Sequence, residues 1–163
     1  MTPIVLIGFP GSGKSTVGRR LAGKLGVAFI DLDRYIEEKY HTSVPLLFQK
    51  YGEPVFRVLE HAALCEVLAK DDVVIATGGG SPCHGDAMAK INGRARSIYL
   101  QLTEDQLVDR LLVSKKKRPL TDPLSEPELR VYVHEMLAKR EPYYRQASII
   151  WTPEEAAALP LPL

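Results

Sequence analysis

Cysteine is scarce in this 163-residue chain. The two present, Cys65 and Cys83, lack CxxC spacing and paired histidines nearby. That argues against a zinc site and suits a reduced, cytosolic protein. Cys65 falls in an apolar helical pattern and is expected to be a small buried hydrophobe. An excess of one charge is missing too: 21 Lys plus Arg face 20 Asp plus Glu, for a net charge of +1. Such a balance provides no global field for nucleic acid or an anionic membrane. No apolar run approaches the ~18 residues of a membrane span. Met1 to Gly8 lacks a basic lead-in and a cleavage site, and reads as a strand rather than a signal peptide. No internal repeat appears. What remains is one soluble domain, expected to be cytoplasmic and monomeric, long enough to bury about two thirds of its unfolded surface in one core.

Hydrophobic patterning gives the architecture. Ile4 to Ile7 is apolar, largely β-branched and bounded by Gly8, as a buried parallel strand requires. Further strands are expected at Val27–Ile30, Val73–Ala76, Ser97–Leu102 and Ser148–Trp151. Helices are expected at Ser15–Leu25, Asp33–Tyr40, Val44–Tyr51, Pro54–Lys70, Thr103–Leu112 and Glu126–Arg140. Thr152 and Glu155 form a capping pattern that starts a short tail helix. This alternation predicts an α/β three-layer sandwich, with a parallel sheet of about five strands and helices on both faces. Two segments interrupt the rhythm. Residues of about 33–61 insert extra helices between the second and third strands. Residues of about 113–125, VSKKKRPLTDPLS, are rich in Lys, Pro and polar groups and read as a loop over the sheet edge.

Gly8-Phe9-Pro10-Gly11-Ser12-Gly13-Lys14-Ser15 fits G-x-x-x-x-G-K-[ST], between an apolar strand and a helical pattern. The glycines let consecutive N–H groups of Gly11, Ser12 and Gly13 converge on one anion. The helix that follows adds its positive end. Lys14 can reach β- and γ-phosphates, Ser15 can offer its hydroxyl to Mg²⁺, and Thr16 can contact the α-phosphate. An ATP site with Mg²⁺ follows. The strand Val73–Ala76 ends in Thr77-Gly78-Gly79-Gly80 rather than in a metal-binding Asp, which argues against a motor ATPase or a switch GTPase. The strand-end carboxylates nearest at hand are Asp31 and Asp33, so Asp31 is expected to support the metal through water.

An acceptor site is expected beside the phosphates. Asp31 and Asp33, two apart after a strand, point to one side if extended, at the edge where doubly wound sheets bind ligands. The plain alternative makes Asp33 a helix cap. Arg57 and Glu60, three apart on one helix, can pair; a partly buried Arg57 would keep donors for a ligand anion. Gly78-Gly79-Gly80 directly follows a buried strand and can bring backbone N–H groups close to a ligand. The basic run Lys115-Lys116-Lys117-Arg118 can supply a cation to a leaving phosphoryl group.

Together these features resemble the shikimate kinase family over residues of about 4 to 152. The resemblance rests on the GxxGSGKST loop, the D-x-D pair, GExxFRxxE, GGG, RPL and a final R-x-P-x-Y. It implies transfer of the ATP γ-phosphoryl group to the 3-hydroxyl of shikimate, a step toward aromatic amino acids. By resemblance, Asp33 holds the acceptor hydroxyls and is the candidate base. Arg57 and Arg140 bind its carboxylate, Glu60 orients Arg57, and Gly79 contributes backbone. Arg118 comes from a lid at about 113–125, Arg110 lies against adenine, and about 33–61 is the acceptor-binding insertion. Two departures stand out. Thr121 follows Leu120 where the family often repeats Leu, and the tail after Trp151 is short. Two other readings use the same loop: another small-molecule kinase, such as a gluconate kinase, and a non-catalytic nucleotide-binding module.

Overall fold

Five parallel strands in the order β2-β3-β1-β4-β5 form the centre of the chain. The computed structural model describes residues 1–114 and 124–160. The strands are β1 (Ile4–Ile7), β2 (Ala28–Asp31), β3 (Val73–Ala76), β4 (Arg96–Leu100) and β5 (Ile149–Trp151). β1 lies centrally, with Ile4 opposite Val74 on one side and Arg96 on the other. Its alternate side chains serve two cores, as the strand period of two demands. Ile4 and Leu6 join Leu21, Trp151 and Leu159 on one face. Val5 and Ile7 join Ile36, Leu64, Leu107 and Val133 on the other. The expected three-layer arrangement therefore holds.

The helices are α1 (Lys14–Leu25), α2 (Leu32–Tyr40), α3 (Val44–Leu68), α4 (Ala87–Arg94), α5 (Glu104–Val113), α6 (Glu126–Tyr144) and α7 (Pro153–Ala158). Their starts follow local chemistry. Thr103, Ser125 and Thr152 open α5, α6 and α7 with capping boxes. α1 differs, since Gly13 precedes it and no side chain caps it. The two helices expected over 44–70 are one element broken at Gly52, whose φ of 79° and ψ of 167° belong to a region open essentially to glycine alone. α6 runs four residues past the expected end at Arg140, carried through Pro142 by the fully buried Tyr144. α4 was not expected from the sequence: AMAKINGR buries only Ala87, Met88 and Ile91, too short a pattern to stand out. Cys65 also departs from expectation. It lies on the outer face of α3 and is exposed, because the buried stripe there runs through Ala63, Leu64, Val67 and Leu68.

Candidate active site

Loops leaving the carboxyl ends of β1, β3 and β2 meet at one edge of the sheet. Thr77 locks the third-strand loop to the first, since its N–H and its hydroxyl both donate to the Leu6 carbonyl at 3.2 and 3.0 Å. At the P-loop, α1 starts without a side-chain cap, so its first N–H groups are left to a ligand anion. Lys14 is buried, and its Nζ donates to the carbonyls of Gly8 at 2.6 Å and Phe9 at 3.1 Å. The Ser12 hydroxyl is buried with no hydrogen-bond partner among the described residues. Ser15 donates to Asp31 Oδ2 at 2.8 Å. A cleft of about 230 Å³ opens from the loop and is lined by Ser12, Thr16, Arg110, Trp151, Pro153 and neighbouring residues. Arg110 reaches back across it to the Ser12 carbonyl at 3.3 Å.

The two aspartates part company. Asp31 ends β2 and is itself the cap of α2: its Oδ1 accepts from the N–H groups of Asp33 and Arg34 at 3.1 and 3.3 Å. Asp33 lies in the first helical turn, so the pair does not share one extended strand, and the cap falls to Asp31 instead of Asp33. With its backbone N–H taken by that cap, Asp33 turns its carboxyl to the glycine loop. A Cβ placed on Gly78 would stand 3.1 Å from Asp33 Oδ1. Burial pushes this carboxyl up to about 6; the Asp31 and Glu60 charges push the same way and Lys14 opposes them.

Arg57 is held on several sides. Its Nη1 donates to Glu60 at 2.8 Å, and its charge sits 5.5 Å from the ring centres of both Phe48 and Phe56. Glu60 is buried and takes a second hydrogen bond from Ser81 at 2.7 Å. Arg140, on α6, lies 5.8 Å from the Phe9 ring centre and beside Gly79. A Cβ on Gly79 would come within 2.6 Å of the Pro10 ring and 2.9 Å of Arg140 Nη1, so only glycine fits there. A Cβ on Gly80 would meet Arg57 Nη2 at 2.5 Å. Two guanidiniums, the carboxylates of Asp33 and Glu60 and a glycine backbone thus converge beside the P-loop. Cys83 borders this group, but burial pushes its thiol up to about 11, which removes it as a nucleophile at neutral pH.

A family model described as shikimate kinase matches residues 10–158. A shikimate kinase of Parabacteroides distasonis is 43% identical over 155 residues, covering 95% of this chain and 90% of its own. The chain belongs to the shikimate kinase family. The solved structure of shikimate kinase from Bacteroides thetaiotaomicron superposes with a TM-score of 0.90 at 42% identity, over 93% of this chain and 86% of the other. One from Acinetobacter baumannii, in complex with shikimate, gives 0.86 at 32% identity over 98% and 90%.

Among the residues expected from the sequence, Asp33, Arg57, Glu60, Gly78, Gly79, Gly80 and Arg140 lie together. Lys14, Ser15 and Asp31 adjoin them, and Arg110 lines the cleft that opens from the P-loop. Arg118, with residues 115–123 of the segment read as a lid, lies outside the described residues. Sequence reasoning missed Ser81, Phe48 and the supporting role of Tyr144. Tyr144 did carry a signal as the last letter of R-x-P-x-Y; Ser81 carried none.

Proposed function

We propose that this chain transfers the γ-phosphoryl group of ATP to the 3-hydroxyl of shikimate, giving shikimate 3-phosphate. The observation that carries this reading is the convergence of Arg57 and Arg140 with Asp33 on the glycine loop next to the P-loop. Two guanidiniums suit a carboxylate at one end of the acceptor. Asp33 suits hydroxyls at the other, as orienting group and base. The uncapped start of α1, with Gly11, Ser12, Gly13, Lys14 and Thr16, suits the phosphates. Lys14 exchanges its loop carbonyls for β- and γ-oxygens. Arg110 and the cleft beside Trp151 suit adenine. Arg118 is assigned to the transferring phosphoryl group by resemblance alone, together with a lid at about 113–125.

Ser15 and Asp31 are hard oxygen donors in mutual contact, a set that fits Mg²⁺. Among the described residues no group of three or more His, Cys, Asp or Glu gathers as a metal cage. That suits an ion carried mainly by the nucleotide, with Ser15 as ligand and Asp31 acting through water. An Mg²⁺ held by Ser15 and Asp31 would supply positive charge against the phosphates. The region of about 33–61 is the acceptor-binding insertion of a single, monomeric, cytoplasmic kinase domain. No helix among the described residues is long and apolar enough to cross a membrane.

Release of ADP from Mg-ATP, followed with shikimate, quinate, gluconate, adenylate or no acceptor, tests the reading. Turnover is expected with shikimate and only background with the rest. Equal rates with gluconate would move the chain to a different acceptor, and no turnover with any would leave a binding module.

A further inference from the structure

We infer that Tyr144 is a positioning residue for the acceptor site, acting through a hydrogen bond that fixes the peptide between Gly79 and Gly80. The inference rests on the kinase reading above. Tyr144 is fully buried at the end of α6, and its hydroxyl donates to the Gly79 carbonyl across 65 residues of sequence. A trans peptide points its C=O and N–H in opposite directions. Holding the Gly79 carbonyl toward α6 therefore turns the Gly80 N–H away from it. The amides of Gly79 and Gly80 find no acceptor among the described residues, and they stand beside Arg140 and Arg57 respectively. The loop has no side chains of its own to hold this orientation, because Gly78, Gly79 and Gly80 have none. The Gly78 and Gly80 carbonyls are held by the N–H groups of Ser81 and Cys83. The Gly79 carbonyl takes its short hydrogen bond from the Tyr144 hydroxyl at 2.5 Å, with only a long, weak one from the Cys83 thiol at 3.9 Å.

The same hydroxyl ties two parts of the site together. Arg140 is one helical turn before Tyr144, and its guanidinium lies close enough to act on the Tyr144 hydroxyl. Gly79 packs against Pro10 of the P-loop on its other side. Tyr144 thus sets the distance between the Arg140 helix, the glycine backbone and the phosphate loop. Burial raises the phenol above the usual tyrosine range, so it remains a donor at every working pH. Tyr99 provides a comparison. It is also buried, packs on Tyr144 with ring centres 5.1 Å apart, and donates its hydroxyl to Glu141 rather than to a loop carbonyl.

The test compares wild type, Tyr144→Phe and Tyr99→Phe in the full chain, by steady-state kinetics and thermal melting. Tyr144→Phe is expected to raise the KM for shikimate about tenfold, the worth of one hydrogen bond, with the KM for ATP within about twofold. Tyr99→Phe is expected to lower the melting temperature comparably and leave both KM values within about twofold. An unchanged shikimate KM in Tyr144→Phe, or equal rises in both variants, overturns the proposal. If Tyr144→Phe does not fold, 3-fluorotyrosine at position 144 keeps the ring and makes the phenol a stronger donor. It is expected to shift the shikimate KM at an unchanged melting temperature, and no shift overturns the proposal. Failure of the wild type to phosphorylate shikimate would sink the kinase reading before any variant is compared.

Discussion

Ser81 donates to Glu60 at 2.7 Å while the other oxygen of that carboxylate accepts from Arg57 at 2.8 Å. The serine and the glutamate are each only 3% exposed, so water does not replace either bond readily. Ser81→Ala leaves one Glu60 oxygen buried without a donor, at a cost of about 1–3 kcal/mol. It also frees Glu60 to swing and take Arg57 with it. The expected outcome is a shikimate KM raised about three- to tenfold with ATP binding unchanged. Urea unfolding and initial rates over a shikimate series check both parts.

Asp33 links activity to pH. With its carboxyl pushed up to about 6, mainly by burial, kcat is expected to fall below that pH as the proposed base is protonated. Stability moves the other way. Between about 4, where the unfolded group titrates, and about 6, the folded chain holds a proton that the unfolded chain has lost. Stability therefore falls as pH rises through that window. Asp33→Asn removes the buried charge and should stabilise the fold at pH 7 by on the order of 2–3 kcal/mol, with the gain vanishing near pH 4. Melting curves of both proteins from pH 4 to 8 check this. A gain that persists at pH 4 would mean the amide acts by packing.

Asp31 uses one oxygen for the α2 cap and the other for Ser15. Asparagine is a good cap and not a carboxylate. Asp31→Asn should hold its melting temperature while needing more Mg²⁺ for half-maximal rate. Asp31→Ala loses the cap as well, at about 1 kcal/mol. Rates against free Mg²⁺, read beside melting curves, separate the two functions.

Gly79→Ala sets a new methyl against the stiff Pro10 ring and Arg140. Overpacking of this kind costs about 1–3 kcal/mol, and here it pushes the phosphate loop and the acceptor loop apart. Both KM values should rise. Gly93→Ala, in α4 with open space around the new methyl, should instead stabilise by about 0.5–1 kcal/mol and leave the kinetics alone.

These residues also show what the sequence made legible. The P-loop could be read because strand, glycine turn and helix are contiguous, and β1 and β3 because they are buried on both faces and so read as unbroken apolar runs. Arg57 and Glu60 were readable as a pair through helical spacing. Asp31 and Asp33 were readable as a pair, but their division of labour was not, because it depends on where β2 stops: one residue later than expected, which makes Asp31 the cap. Ser81 and Tyr144 act on partners 21 and 65 residues away. Nothing in local periodicity reports such a contact, since either residue reads equally well as an ordinary turn serine or core aromatic.

The separation between Gly79 and Tyr144 has a consequence during synthesis. Ser15 and Asp31 are only 16 residues apart, so that contact is available early on the ribosome. The glycine loop has to wait for the last turn of α6, 65 residues later. At about 5–20 residues per second this is a delay of roughly 3–13 s. The nascent chain therefore owns its Ser15–Asp31 contact well before the glycine loop can close, and a release cut short before Tyr144 leaves the Gly79 carbonyl with only the weak Cys83 thiol contact.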